Sequence, residues 1–244
     1  MDTATVDAYL DRIGATRACT LVELHERHLA SVPFENLDIH LGEPIALTGD
    51  ALVDKVVHRR RGGFCYELNG AFAALLTALG HPVEMLSAKV FADGVFGPPF
   101  DHLALRVGDL LLDVGFGRFA VRPLDLADRA DQTDSEGVFR LVDTPEGDLD
   151  VLHGGVVQYR LELRPRALEE FRATCWYQQT WPGSPFRRGA RCSLPTPGGR
   201  VTVAGDRLIV TEGDERWERV LDDDGIIAAH AEHFGIVLDR VPRL

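Results

Sequence analysis

No stretch of this 244-residue chain approaches the ~18 consecutive apolar residues of a membrane-crossing helix. Basic residues are the minority: 26 Lys and Arg stand against 38 Asp and Glu, for a net charge of −12. Such a surface repels nucleic-acid phosphates and anionic lipid, so neither is an expected partner. Cysteine is scarce and dispersed. Cys19, Cys65, Cys175 and Cys192 form no C-x-x-C pair, which argues against a disulfide framework or a zinc ribbon, and no metal is expected. The opening MDTATVDAYLDRIG lacks a basic-then-apolar leader and reads as a short helix. These absences point to a soluble, cytoplasmic protein. What is present in quantity is apolar: 45% of the residues, enough for a core in one large domain or in two or three lobes.

The first eighty residues carry helical spacing. Val6, Tyr9, Leu10 and Ile13 follow the i, i+3, i+4, i+7 pattern, closed by Gly14. Thr20 and Glu23 make a T-x-x-E capping box for a helix that ends before Pro33. A third segment starts near Asp50, and a fourth runs from Cys65 through Leu79 to Gly80 and Pro82. The period then changes to two. VEMLSAKVF, HLALRV, LLLDV, VVQYRLEL, RVTVA and RLIVTEG read as strands between Gly, Asp and Pro turns. Helices are expected at 166–176 and 222–233. The fold class is α+β, with a helical N-terminal lobe (1–82), a strand-rich middle (83–190) and a smaller C-terminal lobe (191–244).

DHLALRVGDLLLDVGFG is the most informative stretch. Gly108-Asp109 serves as a two-residue hairpin loop, pairing Val107 with Leu110 and Leu105 with Leu112. One face is then wholly apolar, while His102 and Asp113 share the other as diagonal neighbours, within reach of each other. A slip of one residue separates them. Two readings stay open at this point: a solvated pair on an exposed sheet face, or a histidine oriented by a carboxylate.

RRGGFCYELNG puts one thiol at the mouth of a helix, after a Gly62-Gly63 hinge. Thiolate, not thiol, is the nucleophile. The positive end of the helix dipole and an acid-oriented imidazole would both lower the Cys65 pKa. The residues therefore read as a cysteine nucleophile, Cys65, with a His102–Asp113 pair. The other three cysteines read as small buried hydrophobes. His25 and His28, at i, i+3, read as surface or half-buried rather than as metal ligands, since no third ligand is evident.

Five spaced motifs resemble the arylamine N-acetyltransferases: YLDRIG (9–14), SVPFENLDIHLG (31–42), RRGGFCYELNGAF (60–72), DHLALRV (101–107) and LLDVGFG (111–117). The resemblance implies three lobes, namely a helical bundle, a β-barrel and an α/β lid, and a triad on Cys65, His102 and Asp113. It implies acetyl transfer from acetyl-coenzyme A through acetyl-cysteine to an aromatic amine or hydrazine. By the same likeness GVFGPPF (94–100), with Val95, Phe96 and Gly97, lies against the coenzyme; Gly115 and Phe116 line the cleft; and Phe186, closing WYQQTWPGSPF, sits near the coenzyme. Gln178-Gln179 departs from the family's pattern there. Phe34 reads as an acceptor contact or as a residue buried between helices, and Glu35 and Asn36 as local hydrogen-bonding residues. Competing functions are an amide synthase that cyclises a carrier-bound polyketide, a Cys–His–Asp hydrolase, and a silent binding protein. A homo-oligomer is left open.

Overall fold

The computed structural model describes residues 1–243. Asp2 caps α1 (Thr3–Arg12) by accepting from the Thr5 N–H. The capping box opens α2 (Leu21–Ser31) as expected: the Thr20 N–H donates to Glu23 Oε2 at 2.7 Å, and the Glu23 N–H to Thr20 Oγ1 at 3.3 Å. Next come β1 (Phe34–Glu35), α3 (Leu37–Leu41), α4 (Gly49–Val53) with a following π-helical turn (Asp54–His58), and α5 (Cys65–Ala78). Helix α5 is apolar on nearly every side. Tyr66, Leu68, Ala71, Phe72, Leu75 and Leu76 are all fully buried, which makes it the central helix of the lobe.

The period-two region forms β2 (Val83–Ala92), β3 (Val95–Phe96), β4 (His102–Val107), β5 (Leu110–Leu112), β6 (Leu124–Asp125), β7 (Gln132–Asp134), β8 (Gly137–Asp143), β9 (Leu149–His153) and β10 (Val156–Arg166). The strands pair antiparallel in the order β6-β5-β4-β2-β10-β9-β8-β7, with β3 on β2. The sheet curls until its ends nearly meet. The Gln132 side chain on β7 accepts from the Asp125 N–H at 2.8 Å and donates to Asp125 O at 2.9 Å on β6. Leu103, Leu105 and Leu112 pack outward on α5, while Ala104, Leu111, Phe139 and Tyr159 fill the interior. The sheet is thus barrel-like, buried on both faces where α5 covers it.

A second sheet, β1-β11-β12-β13-β14, joins β1 to β11 (Arg191–Thr196), β12 (Gly199–Ala204), β13 (Arg207–Glu212) and β14 (Glu215–Val220). Helix α7 (Asp223–Phe234) packs on it, started by the Asp222 cap and ended by left-handed Gly235 (φ 66). The α+β class agrees with the sequence reading. The helix expected at 166–176 does not. Arg166 ends β10, a 3₁₀ turn covers Leu168–Phe171, and α6 occupies Arg172–Thr180. The cause is local: Glu170 accepts from the Ala167 N–H at 2.7 Å, so the helical run starts only after Ala167. Strands β8, β9, β11 and β14 were not read from the sequence. No helix among the described residues is long and apolar enough to cross a membrane.

Candidate active site

Cys65 is the first residue of α5. The preceding glycines are not the hinge expected from the sequence; they are places where the chain passes too close for a side chain. A Cβ on Gly62 would lie 1.8 Å from Pro33 O, and one on Gly63 would lie 2.6 Å from Glu67 Cβ. Gly63 O accepts from the Glu35 N–H at 2.8 Å, and Glu67 Oε2 accepts from the Phe64 N–H at 3.2 Å. The start of α5 is therefore pinned on both sides.

The hairpin has the expected register, Leu105↔Leu112, Arg106↔Leu111 and Val107↔Leu110. His102 Nε2 lies 2.7 Å from Asp113 Oδ2, with both residues buried. That rejects the solvated pair, because the barrel interior and α5 cover both faces. Asp113 is further held by Asn69, one turn along α5 from Cys65: Asn69 Nδ2 donates to Asp113 Oδ1 at 3.0 Å and to Leu103 O at 2.7 Å, and Asn69 Oδ1 accepts from the Val114 N–H at 3.0 Å. Asn69 thus ties the helix bearing the thiol to the hairpin bearing the acid. Gly115 makes this approach possible. A Cβ there would sit 2.6 Å from Cys65 Cα and 2.7 Å from Asn69 Nδ2.

Burial raises the Asp113 pKa, but the His102 ring beside it and hydrogen bonds from His102, Asn69 and the Gly115 N–H outweigh burial, and the net shift is downward. Asp113 is an anion, acceptor only. Burial pushes the Cys65 thiol well up; the Asp101 and Asp113 carboxylates act in the same sense, against a backbone contact from Leu103. The lowered thiol expected from the helix end is therefore not the property of Cys65 alone. Desolvation dominates the isolated group, and thiolate forms when its proton passes to a neighbouring base, which keeps the pair neutral overall.

Cys65 and His102 open onto one cavity of about 200 Å³, lined also by Phe34, Asp101, Phe116 and Phe186. Three larger clefts, about 610, 780 and 290 Å³, contain no cysteine. Phe34, which the sequence left between two readings, lines the cavity and is only half buried. Asn36 meets His40 Nε2 locally at 3.4 Å, as expected, and its Nδ2 also donates to Phe186 O at 2.8 Å and to Gly189 O at 3.0 Å, holding the Phe186 segment over the cavity.

An N-acetyltransferase family model matches residues 19–242. An arylamine N-acetyltransferase of Mycobacterium bovis is 35% identical over 94% of this chain and 88% of its own length. A pineal gland isozyme of the same activity from Gallus gallus is 32% identical over 91% and 88%. The chain belongs to the arylamine N-acetyltransferase family. Among solved structures, the Mycobacterium marinum arylamine N-acetyltransferase in complex with CoA superposes with a TM-score of 0.83 at 29% identity, covering 95% of this chain and 92% of that one.

Within this arylamine N-acetyltransferase framework, Gly115, Phe116 and Phe186 lie at the cavity as the sequence implied. Val95 and Phe96 lie apart, on the β2–β3 hairpin: Val95 is 65% exposed, and the Arg160 guanidinium covers the Phe96 ring at 4.6 Å. Gly97 packs over Asp101, where a Cβ would stand 2.1 Å from Asp101 Oδ2. Sequence reasoning did not place Asn69, His25, Asp101 or Gln178 in the site. Asn69 could have been found as the i+4 neighbour of Cys65 on α5. His25 and His28 are not at the surface; both are buried. His25 Nε2 accepts from the Asp113 N–H at 3.1 Å and its Nδ1 faces Val121 O at 2.8 Å, so the ring is neutral with its proton on Nδ1. Burial lowers its pKa in the same sense. Asp101 and Gln178 form a buried pair, Gln178 Nε2 donating to Asp101 Oδ1 at 2.5 Å. The unexpected Gln178 thus has a partner.

Proposed function

We propose that this family member transfers an acetyl group from acetyl-coenzyme A to an arylamine or aryl hydrazine through an acetyl-Cys65 intermediate, with His102 as the base and Asp113 holding it. The observation that carries this reading is the 2.7 Å His102–Asp113 pair, whose histidine opens with Cys65 onto one small cavity. As the Cys65 sulfur forms its bond to the acetyl carbon, its proton passes to His102. The bond from that carbon to the coenzyme sulfur then breaks, and His102 returns the proton to the departing thiolate. The free amine attacks acetyl-Cys65, giving up a proton to His102, and Cys65 leaves as the regenerated thiol. Exchange between two thioesters is nearly isoenergetic, so the step does not require a metal to polarise the carbonyl.

The cavity volume of about 200 Å³ lies below the ~300 Å³ at which drug-sized sites begin. It suits an acetyl group and one aromatic ring better than a polyketide chain. Phe116, Phe186 and Gly115 are the coenzyme and cleft contacts of this reading, with the β2–β3 hairpin (Val95, Phe96, Gly97) at its outer edge. The lobes 1–82, 83–190 and 191–244 supply the nucleophile, the base with its acid, and the cover, in a cytoplasmic enzyme.

The test is the mass of the protein after acetyl-coenzyme A is added without acceptor. One acetyl group on the Cys65 peptide is expected, discharged by an arylamine with parallel double-reciprocal lines. Coenzyme A released equally fast without acceptor would make the protein a thioester hydrolase. Acylation by a long carrier thioester but not by acetyl-coenzyme A would make it an amide synthase.

A further inference from the structure

Strand β14 ends the second sheet with no partner on its outer side among the described residues, and all six of its residues are exposed. Its hydrogen-bonding parity follows from one bond: the Leu221 N–H donates to Asp206 O at 2.8 Å, flanking the Arg207↔Val220 pair. In an antiparallel ladder a bond between the flanking residues makes the enclosed pair a non-hydrogen-bonded one. The N–H and C=O of Val220 therefore point away from β13, and alternation gives Glu218 and Arg216 the same outward aim. The ladder from Arg207↔Val220 to Glu212↔Glu215 has no bulge to turn that edge aside.

A second copy can add to this edge antiparallel only in registers that set outward residues opposite one another. Four such registers use the strand. Those centred on Arg216, Glu218 or Arg219 place a residue opposite its own like charge. Centred on Trp217, the pattern Glu215-Arg216-Trp217-Glu218-Arg219 becomes its own complement. Arg216 then faces Glu218 of the other copy, Glu215 faces Arg219, and the two Trp217 side chains meet across the dyad. Trp217, 49% exposed, lies on the sheet face that carries Leu208 and Val210, while Val220, 67% exposed, lies on the other. Cross-strand opposite charges and aromatic pairs are the contacts that stabilise a ladder.

We propose that this chain forms a two-fold homodimer by antiparallel pairing of β14 in the register centred on Trp217, joining two five-stranded sheets into one of ten. The area such a strand pair covers is below that of a standard stable interface, so the dimer is a reversible one that forms as concentration rises. None of the β14 residues lines the Cys65 cavity, so the pairing leaves the chemistry in place.

Sedimentation velocity on the whole chain from ~5 to ~500 µM spans the dissociation constants expected of so small an interface. The expected result is a monomer-to-dimer shift over that range. Glu218→Arg, which sets Arg216 against a second arginine, should weaken association at least tenfold. The double swap Arg216→Glu with Glu218→Arg, which restores opposite charges in the same register, should bring it back to within about threefold. Unchanged acetyl transfer and melting temperature identify variants that remain folded. Overturning results are a monomer at every concentration, as expected if the charges only guard the edge or if another protein's strand takes it, and a dimer that Glu218→Arg leaves intact.

Discussion

Asn69 and Cys65 stand one turn apart on α5, and the Asn69 amide is what fixes the acid opposite the thiol: it donates to Asp113 Oδ1 at 3.0 Å while its oxygen accepts from the Val114 N–H at 3.0 Å. Helix and hairpin are locked by a single side chain, so changes on either element should be read at the other.

Cys65→Ser should fold normally and lose acetyl transfer by about a hundredfold or more, because a hydroxyl is far less acidic than the thiol that this His–Asp pair serves. The check is kcat with acetyl-coenzyme A and an arylamine, alongside a thermal melt. A Ser variant retaining more than a few per cent of the parent rate would remove Cys65 from the chemistry.

Iodoacetamide at pH 6 to 7 should label Cys65 ahead of Cys19, Cys175 and Cys192, although Cys19 is the more exposed. Burial pushes the thiols of Cys65, Cys175 and Cys192 up. Cys65 alone shares its cavity with a histidine that can take its proton. His102→Ala should abolish the preference, since the buried thiol then keeps its proton. Peptide mapping after brief exposure reads the order directly.

For Asp113→Asn the expected loss in kcat is ~10² to ~10⁴, with the fold kept, as when other triads lose their acid. The same carboxylate makes stability depend on pH. Its folded pKa lies below the unfolded value, so its contribution is complete above ~pH 4 and is lost as pH falls through the folded pKa. Acid titration of unfolding free energy should show a shallower fall below ~pH 4 in Asp113→Asn than in the parent.

Gly115→Ala tests the close approach of hairpin to helix. Its Cβ would meet Cys65 Cα at 2.6 Å, and backbone on both sides leaves little room to give. Activity should fall at least tenfold, with overpacking costing ~1 to ~3 kcal/mol of stability. Normal kcat in this variant would show that the contact can relax at no cost to geometry.

Lys55 lies at the centre of a buried ion cluster, 2.6 Å from Asp38 Oδ2, 2.6 Å from Glu67 Oε1 and 3.8 Å from Glu35 Oε1, with Arg61 bridging Glu35 at 2.9 Å and Asp38 at 2.7 Å. Burial raises Glu67 to about 7 against the pull of Lys55. Between its unfolded pKa and that value the folded state holds the extra proton, so stability falls as pH rises from ~4.5 to ~7. Lys55→Met leaves buried Glu67 without its cation, while Glu35 and Asp38 keep Arg61, and should cost ~3 to ~5 kcal/mol, read by urea unfolding at pH 7. A smaller cost at pH 5, where Glu67 is protonated, is the accompanying expectation.

Much of this protein was written locally. The Thr20–Glu23 box, the start of α5 at Cys65 and the Gly108-Asp109 hairpin with its register depend on residues a few positions apart, and turn chemistry and periodicity encode those directly. From that register alone His102 and Asp113 came onto one face. Whether that face met water or protein was beyond local signals, because a strand with alternating polarity is the same sequence whether its second face is solvated or sealed. The closing of β6 and β7 through Gln132, with α5 on the outside, decided it. The same holds for His25, whose i, i+3 partner suggested a surface pair until Asp113 and Val121, nearly ninety or more residues away in sequence, were brought to its two ring nitrogens. Sequence determined which groups carry the chemistry and how each is locally aimed. Only the tertiary structure decided their burial and mutual contact, because desolvation and packing depend on neighbours that chain order does not place side by side.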